Sequence, residues 1–359
     1  DRSVQSVGLG NMELNGHCTY LPTLNNKDEW ILNDTYPHGE KDKVQEVYLF
    51  NPSNQRRIPL ATFPALEIYR GETLGLVGES GCGKTTLGKS ILQLVKSTDG
   101  KILLYDGKNK IDLRQLDHSN MKPIRKKLQI VFQDPHSSLN PAFTVFGSLQ
   151  DLLKNFGTRS KSEIRKKIGD LLEAVNMRRD QMDHYPHEFS GGQRQRIGIA
   201  RALCVEPELI VCDEAVSALD VSIQAQVLKL LKEIKDKRGL TYIFITHDLS
   251  VVEYISDRVA VMYLGKIMEL AESDDLYSNA LHPYTKALLS AIPVADLDRK
   301  KERIILEGDV PNPVNPPSGC PFHPRCPIAQ DKCSTEIPKL NNYQSSGKQH
   351  LAACHFVEV

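Results

Sequence analysis

The sequence predicts an α/β protein built on a mainly parallel β-sheet, and three features support this fold class. Short apolar runs typical of buried strands alternate with segments of helical periodicity, which is the pattern of a parallel sheet connected by helices. A glycine-rich segment stands between one apolar run and the helix that follows it. The C-terminal part is rich in proline and cysteine, which predicts a small irregular region after the α/β domain.

The N-terminal part predicts an extension followed by short strands. Residues 1–43 are polar and have no sustained hydrophobic period, so they are assigned no role. Three short β runs follow, at residues 44–50, 65–69 and 73–77, with turn residues between them.

Helices and buried strands alternate along the middle of the chain. The predicted elements are a helix at about 84–95, strands at 128–132, 209–212 and 242–245, and a helix at 222–236. Residues 141–200 are mostly helical and predict an inserted subdomain, in which Ser160 and Glu163 have the spacing of a capping box. The predicted units are the extension at 1–43, an α/β domain at 44–295 and a C-terminal region at 296–359.

Composition excludes several classes of function. The chain has 359 residues, its 45 Lys and Arg balance 45 Asp and Glu, and 40% of its residues are hydrophobic. A protein that coats nucleic acid normally carries a basic surplus, so no nucleic-acid partner is expected. No stretch approaches the roughly 18 apolar residues of a transmembrane helix.

Residues 78–85 form a phosphate-binding motif. They read Gly-Glu-Ser-Gly-Cys-Gly-Lys-Thr and match G-x-x-x-x-G-K-[ST] between a predicted strand and a predicted helix. The glycines let successive backbone N–H groups point into one concavity, and the helix N-terminus adds partial positive charge. Lys84 is expected to reach the β- and γ-phosphates and Thr85 to offer its hydroxyl to Mg²⁺. The flanking strand and helix argue against the alternative of a chance glycine-rich turn.

The predicted strand at 209–212 ends in two carboxylates, Asp213 and Glu214. The carboxyl edge of a parallel sheet is where α/β proteins bind ligands. Asp213 suits Mg²⁺, and Glu214 suits orientation or deprotonation of an attacking water. A solvated strand end is the alternative, and the phosphate motif in the same chain favours the functional interpretation.

Six motifs occur in the order and spacing of ATP-binding cassette (ABC) ATPases, so residues 44–295 resemble that family. Besides the phosphate loop and Asp213-Glu214, they are Phe132-Gln133-Asp134-Pro135, Ser190-Gly191-Gly192-Gln193, Ser217-Ala218-Leu219-Asp220 and Thr246-His247-Asp248. The resemblance implies a P-loop NTPase cassette with a mainly parallel core sheet, an antiparallel β subdomain and an inserted helical subdomain. Without the resemblance, residues 190–193 would be interpreted as a helix N-cap with flexible glycines.

The resemblance also implies roles for individual residues. The implied catalytic residues are Lys84, Gln133, Glu214 and His247, and the implied Mg²⁺ ligands are Thr85, Gln133 and Asp213. The implied ATP-binding residues are Phe50, Gly78, Glu79, Ser80, Gly81, Cys82, Gly83, Lys84, Thr85, Thr86, Gln133 and His247. Phe50 is the aromatic expected to stack on adenine, with Tyr48 as the alternate. Ser190, Gly191, Gly192, Gln193 and Asp220 are implied to serve the ATP held by an opposite subunit.

C-terminal motifs narrow the resemblance to the ATPases of oligopeptide and dipeptide importers. They are His282-Pro283-Tyr284-Thr285 and Gly319-Cys320-Pro321-Phe322-His323-Pro324-Arg325-Cys326. Residues 213–220 resemble the second of the two ATPase subunits that such importers carry. The resemblance implies ATP and Mg²⁺ as cofactors and a peripheral position on the cytoplasmic face of the membrane. The implied partners are a second ABC ATPase subunit, two permease subunits and an extracytoplasmic peptide-binding protein. An importer of nickel or another solute is one alternative, and a soluble ABC ATPase with a redox-sensing cluster is a second.

Four cysteines, Cys320, Cys326, Cys333 and Cys354, are spaced C-x5-C-x6-C-x20-C. This spacing matches neither the paired cysteines of common zinc sites nor those of ferredoxins. Four thiolates suit Zn²⁺ or an iron–sulfur cluster, and the importer resemblance favours [4Fe–4S]. Four ordinary thiols are the alternative. The cysteines begin 73 residues after His247 (320 − 247), in a segment of the sequence that is separate from every ATP motif.

Overall fold

The computed structural model describes residues 31–32, 45–51, 56–63, 66–106, 109–134, 139–158, 160–292, 303–343 and 349–357. Before residue 66 the description covers the backbone only. Most of the predicted extension at 1–43 therefore lies outside the described residues. Among the helices that are described, none combines the length and the hydropathy needed to cross a bilayer.

Thirteen strands are present in the described residues. They are β1 Ile31–Leu32, β2 Gln45–Asn51, β3 Arg56–Phe63, β4 Thr73–Val77, β5 Leu103–Asp106, β6 Asn109–Asp112, β7 Leu128–Val131, β8 Leu209–Asp213, β9 Thr241–Ile245, β10 Arg258–Tyr263, β11 Lys266–Glu272, β12 Asn341–Asn342 and β13 Leu351–Ala352. Eight of them form one mixed sheet in the order β12-β13-β11-β10-β4-β9-β8-β7. The five strands from β10 to β7 in that order are parallel, and the other three extend the sheet antiparallel.

Helices cover both faces of this sheet. They are α1 Lys84–Ile91, α2 His118–Lys127, α3 Val145–Asn155, α4 Lys161–Ala174, α5 Gly191–Leu203, α6 Val221–Arg238, α7 Leu249–Ile255, α8 Ser273–Ser278, α9 Pro283–Ser290 and α10 Asp331–Thr335. Short 3₁₀ turns occur at Leu113–Gln115, Arg179–Asp183, Pro186–Glu188 and His323–Arg325.

Alternation of side chains along the strands divides the core between the two faces. In β9, Tyr242 and Phe244 pack with the helices of the 145–203 segment and with α6, whereas Ile243 and Ile245 pack with α1 and α2. This is the period of two that a strand with two covered faces requires. All five residues of β9 are buried, so the strand is uniformly apolar in sequence. The alternating strands and helices predicted after residue 78 therefore form the expected parallel core.

One predicted strand is wrong. Residues 66–69 pair with no neighbour, and the residues that do form a strand are the preceding Arg56–Phe63, which pairs antiparallel with β2. Leu66 and Ile68 nevertheless pack against the core. Their apolar alternation reflects burial of every second side chain and does not require hydrogen bonding to another strand.

A buried polar network ties the C-terminal residues to the main sheet. Glu269 of β11 is fully buried, and its carboxylate accepts hydrogen bonds from the backbone N–H groups of Leu281 and His282 at 2.7 and 2.9 Å. His350 lies 2.7 Å from the same carboxylate through Nε2. A buried carboxylate is stable only when it is paired in this way. The network thus joins α9 and the residues before β13 to one strand of the core.

Candidate nucleotide-binding site

The phosphate motif lies at the carboxyl edge of the sheet, directly after β4. At Gly78, whose φ is +152°, a Cβ atom would come within 2.0 Å of the Met262 carbonyl oxygen, so no other residue fits. α1 begins at Lys84 with Gly83 as its N-cap. The predicted strand–loop–helix arrangement is therefore confirmed, with free backbone N–H groups at the start of α1 available to an anion.

Lys84 and Thr85 point in two directions from the start of α1. The buried Lys84 ammonium donates hydrogen bonds to the carbonyl oxygens of Gly78 and Glu79, at 2.7 and 3.0 Å, so it lies inside the curve of its own loop. The Thr85 hydroxyl donates to the Asp213 carboxylate at 2.7 Å. These two oxygen ligands suit Mg²⁺, which prefers carboxylate and hydroxyl oxygens beside phosphate. Burial raises the pKa of Asp213, and the hydrogen bond from Thr85 opposes that rise.

Glu214 and His247 lie next to each other, after the ends of β8 and β9. The Glu214 carboxylate is 3.6 Å from His247 Nδ1. Glu214 has a φ of +48°, which is a strained conformation for a residue with a side chain, and its N–H donates to the Ile245 carbonyl at 2.9 Å. This backbone bond fixes Glu214 against the neighbouring strand. The structure thus brings together two residues that lie 33 positions apart in the sequence.

Of the other residues predicted to contact ATP, Gln133 is described in full and Phe50 only by its backbone. Gln133 follows β7 at the same edge of the sheet and is exposed. The backbone of Phe50 lies in β2, but the side chains of Phe50 and Tyr48 are outside the described residues. Pro135, in the motif that contains Gln133, is also outside them.

The Ser-Gly-Gly-Gln motif forms the N-terminus of α5. The Ser190 hydroxyl accepts from the Gln193 N–H at 3.3 Å, and the Gln193 amide oxygen accepts from the Ser190 N–H at 3.0 Å. This is a reciprocal capping box. At Gly192 a Cβ would come within 2.4 Å of Ile223 on α6, so the glycine permits close packing of α5 on α6. The helix N-terminus stays exposed at Ser190 and can take an anion from outside.

Two residues of the C-terminal motifs contact the phosphate loop, although the sequence predicted no role for them in binding ATP. The Arg325 guanidinium pairs with both carboxylate oxygens of Glu79, at 2.7 and 3.2 Å, and the Glu79 N–H donates to the Tyr284 hydroxyl at 3.0 Å. The cysteine-bearing segment, which is separate from every ATP motif in the sequence, therefore contacts the phosphate loop in the folded chain. Arg325 stands between Cys320 and Cys326 in the sequence, and no spacing rule connects it to residue 79.

The four C-terminal cysteines gather in one region without forming a recognisable metal site. The Cys320 N–H donates a hydrogen bond to the Cys333 carbonyl at 2.8 Å. Cys326, Cys333 and Cys354 lie near enough that negative charge on them would disfavour the Cys320 thiolate. Burial raises the pKa of the Cys320 thiol to about 11, so it is protonated at neutral pH. In the part of the chain that the structure describes, no three His, Cys, Asp or Glu side chains are arranged to hold a metal ion. The predicted [4Fe–4S] site is therefore not supported by this arrangement.

Two family models match the chain, and both agree with the motifs. The model of the ABC transporter family matches residues 64–217, and the model of the oligopeptide/dipeptide transporter C-terminal region matches residues 268–333. The first range contains the phosphate loop and Asp213. The second contains Tyr284 and Arg325, the two residues that reach the loop.

Proteins similar to this one cover most of the chain. The oligopeptide transport ATP-binding protein OppF of Salmonella typhimurium is 51% identical over 292 residues, which are 80% of this chain and 85% of OppF. The oligopeptide transport ATP-binding protein AppF of Bacillus subtilis is 50% identical over 294 residues, which are 81% of this chain and 87% of AppF. Among solved structures, the dimeric bacterial ABC transporter cassette MJ0796 aligns with a TM-score of 0.56 and 29% identity, over 64% of this chain and 98% of that cassette.

Proposed function

Because the chain belongs to the family of oligopeptide-transport ATP-binding proteins of ABC transporters, we propose that it is the ATP-hydrolysing subunit that powers peptide import across the cytoplasmic membrane. The Thr85–Asp213 pair at the phosphate loop is the observation that carries the ATPase function, because it joins the magnesium-binding groups of two distant motifs. The identity of about half to OppF and AppF carries the peptide substrate class. Neither OppF nor AppF favours the two alternatives, which are an importer of nickel or another solute and a soluble ATPase with a redox-sensing cluster.

The proposed roles follow from where each side chain lies. Lys84 leaves its loop carbonyls for the β- and γ-phosphates when ATP binds. Thr85, Asp213 and Gln133 would hold Mg²⁺, and the ion would supply positive charge against the charge that develops on the phosphates during transfer. Glu214 accepts a proton from the attacking water or orients it, and His247, 3.6 Å from that carboxylate, contacts the γ-phosphate.

We further propose that ATP is bound between two cassettes. The N-terminus of α5 carries Ser190, Gly191, Gly192 and Gln193 and is exposed at Ser190, so it can serve as an anion site for a second chain. Asp220 precedes α6 without capping it, and the adjacent Val221 is 82% exposed. An exposed valine beside a free carboxylate fits a loop that is covered by a partner. In this proposal the second cassette is a separate ATPase subunit of the same importer, and the resemblance of residues 213–220 to the second-subunit type supports it.

The proposed organisation adds membrane and binding-protein partners. Two permease subunits span the membrane, an extracytoplasmic protein delivers the peptide, and this chain binds the cytoplasmic face. Residues 44–295 form the ATPase domain with its helical subdomain at about 141–200, residues 296–359 form the C-terminal region, and residues 1–43 form an extension. Phe50 stacks on adenine in this proposal, with Tyr48 as the alternate.

The cysteine region is proposed to bind metal. The neighbouring positions of Cys320, Cys326, Cys333 and Cys354 support this proposal. The described residues hold no formed metal-binding group of three or more side chains, which opposes it. The four thiols would lose their protons on binding metal, and attraction of the thiolates to the metal would draw the sulfurs together. [4Fe–4S] is the proposed group and Zn²⁺ the alternative.

The roles of Glu214 and Lys84 are tested by two substitutions. Glu214→Gln keeps the side-chain shape but loses the proton acceptor, so it should bind Mg-ATP normally and lower kcat by 100-fold or more. Lys84→Ala should instead lose ATP affinity, because the main cation at the phosphates is gone. ATP binding and turnover of the purified transporter measure both. Glu206→Gln is the matched control, since Glu206 is exposed and has a similar φ of +54° outside the site. Normal turnover by Glu214→Gln would contradict the assignment.

A further inference from the structure

The phosphate loop is held from outside by the C-terminal region, at its second residue. Glu79 is fixed at three groups: its carboxylate by Arg325, its N–H by Tyr284, and its carbonyl by Lys84. Two of these three partners lie in the range that matches the transporter C-terminal model. We propose that Arg325 is a positioning residue for ATP, which neutralises Glu79 and holds the loop in the shape and charge that a triphosphate requires. This inference rests on the proposed role of residues 78–85 in binding phosphate.

The geometry of the Arg325–Glu79 pair is that of a fixed contact. Both guanidinium terminal nitrogens bond the carboxylate, at 2.7 and 3.2 Å, which is the bidentate arrangement that gives an arginine pair its directionality. The Arg325 side chain is only 8% exposed. The Tyr263 hydroxyl lies 3.4 Å from the same guanidinium. The Glu79 side chain is 27% exposed, so the contact is partly buried. A partly buried, two-point contact holds its partner more firmly than an exposed ion pair does.

A cluster of three buried aromatic rings packs beside the Arg325–Glu79 pair. Tyr263, Tyr284 and Phe322 are fully buried, and their ring centroids lie 4.8 to 5.4 Å apart. Phe322 and Arg325 belong to the same short segment, so packing of the phenyl ring fixes the turn that presents the guanidinium. The contact between the C-terminal region and the loop is therefore part of a rigid core and not a loose surface approach.

The Arg325–Glu79 pair affects ATP binding through the charge of Glu79. Glu79 places a carboxylate in a loop whose task is to bind a polyanion, and an unpaired carboxylate there would repel the phosphates. Arg325 cancels that charge. Removing Arg325 alone should therefore weaken ATP binding, and removing both charges should restore it. A purely structural contribution of Arg325 predicts no such restoration, because the double variant loses the same contacts.

The test measures Mg-ATP binding and steady-state hydrolysis with the full-length chain in its transporter. Arg325→Gln should raise the Kd and the KM for Mg-ATP about tenfold and leave kcat at saturating ATP nearly unchanged. Glu79→Gln in the Arg325→Gln background should return both constants to within about twofold of wild type, and Arg325→Lys should recover part of the loss because it keeps the charge without the fork.

The matched control breaks a similar pair far from the loop. Arg258 and Glu72 are 3.4 Å apart with 12% and 9% exposed side chains, and they lie at the amino ends of β10 and β4. Arg258→Gln should lower stability without raising the KM for ATP. Should Arg325→Gln fail to fold, Glu79→Gln decides: it leaves the charge of Arg325 uncancelled beside the phosphates, so it should bind Mg-ATP more tightly than wild type, and an affinity no higher than wild type would then count against the inference.

Two results would overturn the inference. One is an ATP affinity of Arg325→Gln within twofold of wild type, and the other is a double variant that binds ATP as weakly as Arg325→Gln. Lys84→Ala separates this inference from the proposed function: if that variant also binds Mg-ATP like the wild type, the loop is not the ATP site and the proposed function fails with it.

Discussion

At the residue scale, two adjacent carboxylates acquire different tasks from their surroundings. Asp213 is buried and receives the hydrogen bond of Thr85, so its position is fixed for a metal ion at the phosphate loop. Glu214 is less buried, turns away through a positive φ and faces His247. The strained backbone is compensated by the N–H bond to β9, and it aims the second carboxylate at a different point of the site.

His282 gives a prediction for the dependence of stability on pH. It is buried, its Nδ1 accepts the Tyr284 N–H at 3.1 Å, and burial lowers its pKa from 6.5 to about 4. As the pH falls, His282 therefore takes up a proton in the unfolded chain before it does so in the folded chain. Its contribution to the free energy of unfolding is fully present above about pH 6.5 and is lost as the pH falls towards 4. On going from pH 7 to pH 5, protonation of His282 in the unfolded chain should lower the free energy of unfolding by about 2 kcal/mol.

The variant that tests this is His282→Asn, which can cap α9 but cannot titrate. Urea unfolding at pH 7 and pH 5 should show a smaller loss of free energy for the variant than for wild type. Glu269 and His350, which belong to the same buried network, are present in both proteins. Equal losses in the two proteins would show that His282 does not carry this dependence.

At the element scale, the sequence predicts what depends on local pattern. β4, β8, β9, α1 and α6 follow from uniform apolar runs, glycine at a forced turn and helical period. The strand expected at 65–69 is absent at residues 66–69. The prediction failed because burial of alternate side chains against a core gives the same sequence pattern as a paired strand. The Arg325–Glu79 contact could not be predicted either, since it depends on how a proline-rich segment packs against the sheet and no local pattern encodes that.

The cysteine region gives an element-scale prediction about metal. If the proposal holds, anaerobically purified protein is brown and contains about four iron atoms per chain. Cys326→Ser should lose the iron and lower the stability of the C-terminal region, while Cys204→Ser, at a buried thiol in the helical part of the core, should keep the iron. Elemental analysis with visible absorption measures both. One zinc without iron would replace the cluster by a zinc site, and neither metal would leave four ordinary thiols.

At the scale of the whole molecule, the nucleotide edge of the sheet collects contributions from distant parts of the chain. The phosphate loop, the ends of β8 and β9 and the C-terminal region meet there, while α5 presents its N-terminus outwards. This arrangement explains why one cassette should be a slow ATPase alone in the proposed function. It also explains how a region beyond the ATP motifs can influence nucleotide binding.

The measurement that tests the central claim most directly is peptide uptake by cells whose only copy of this protein carries Glu214→Gln, with Glu206→Gln as the control. If the chain powers peptide import by hydrolysing ATP at this site, cells with Glu214→Gln take up no labelled oligopeptide above background, although the protein is present and retains Mg-ATP, and cells with Glu206→Gln take it up like wild type. Uptake by Glu214→Gln cells at the wild-type rate would contradict the account.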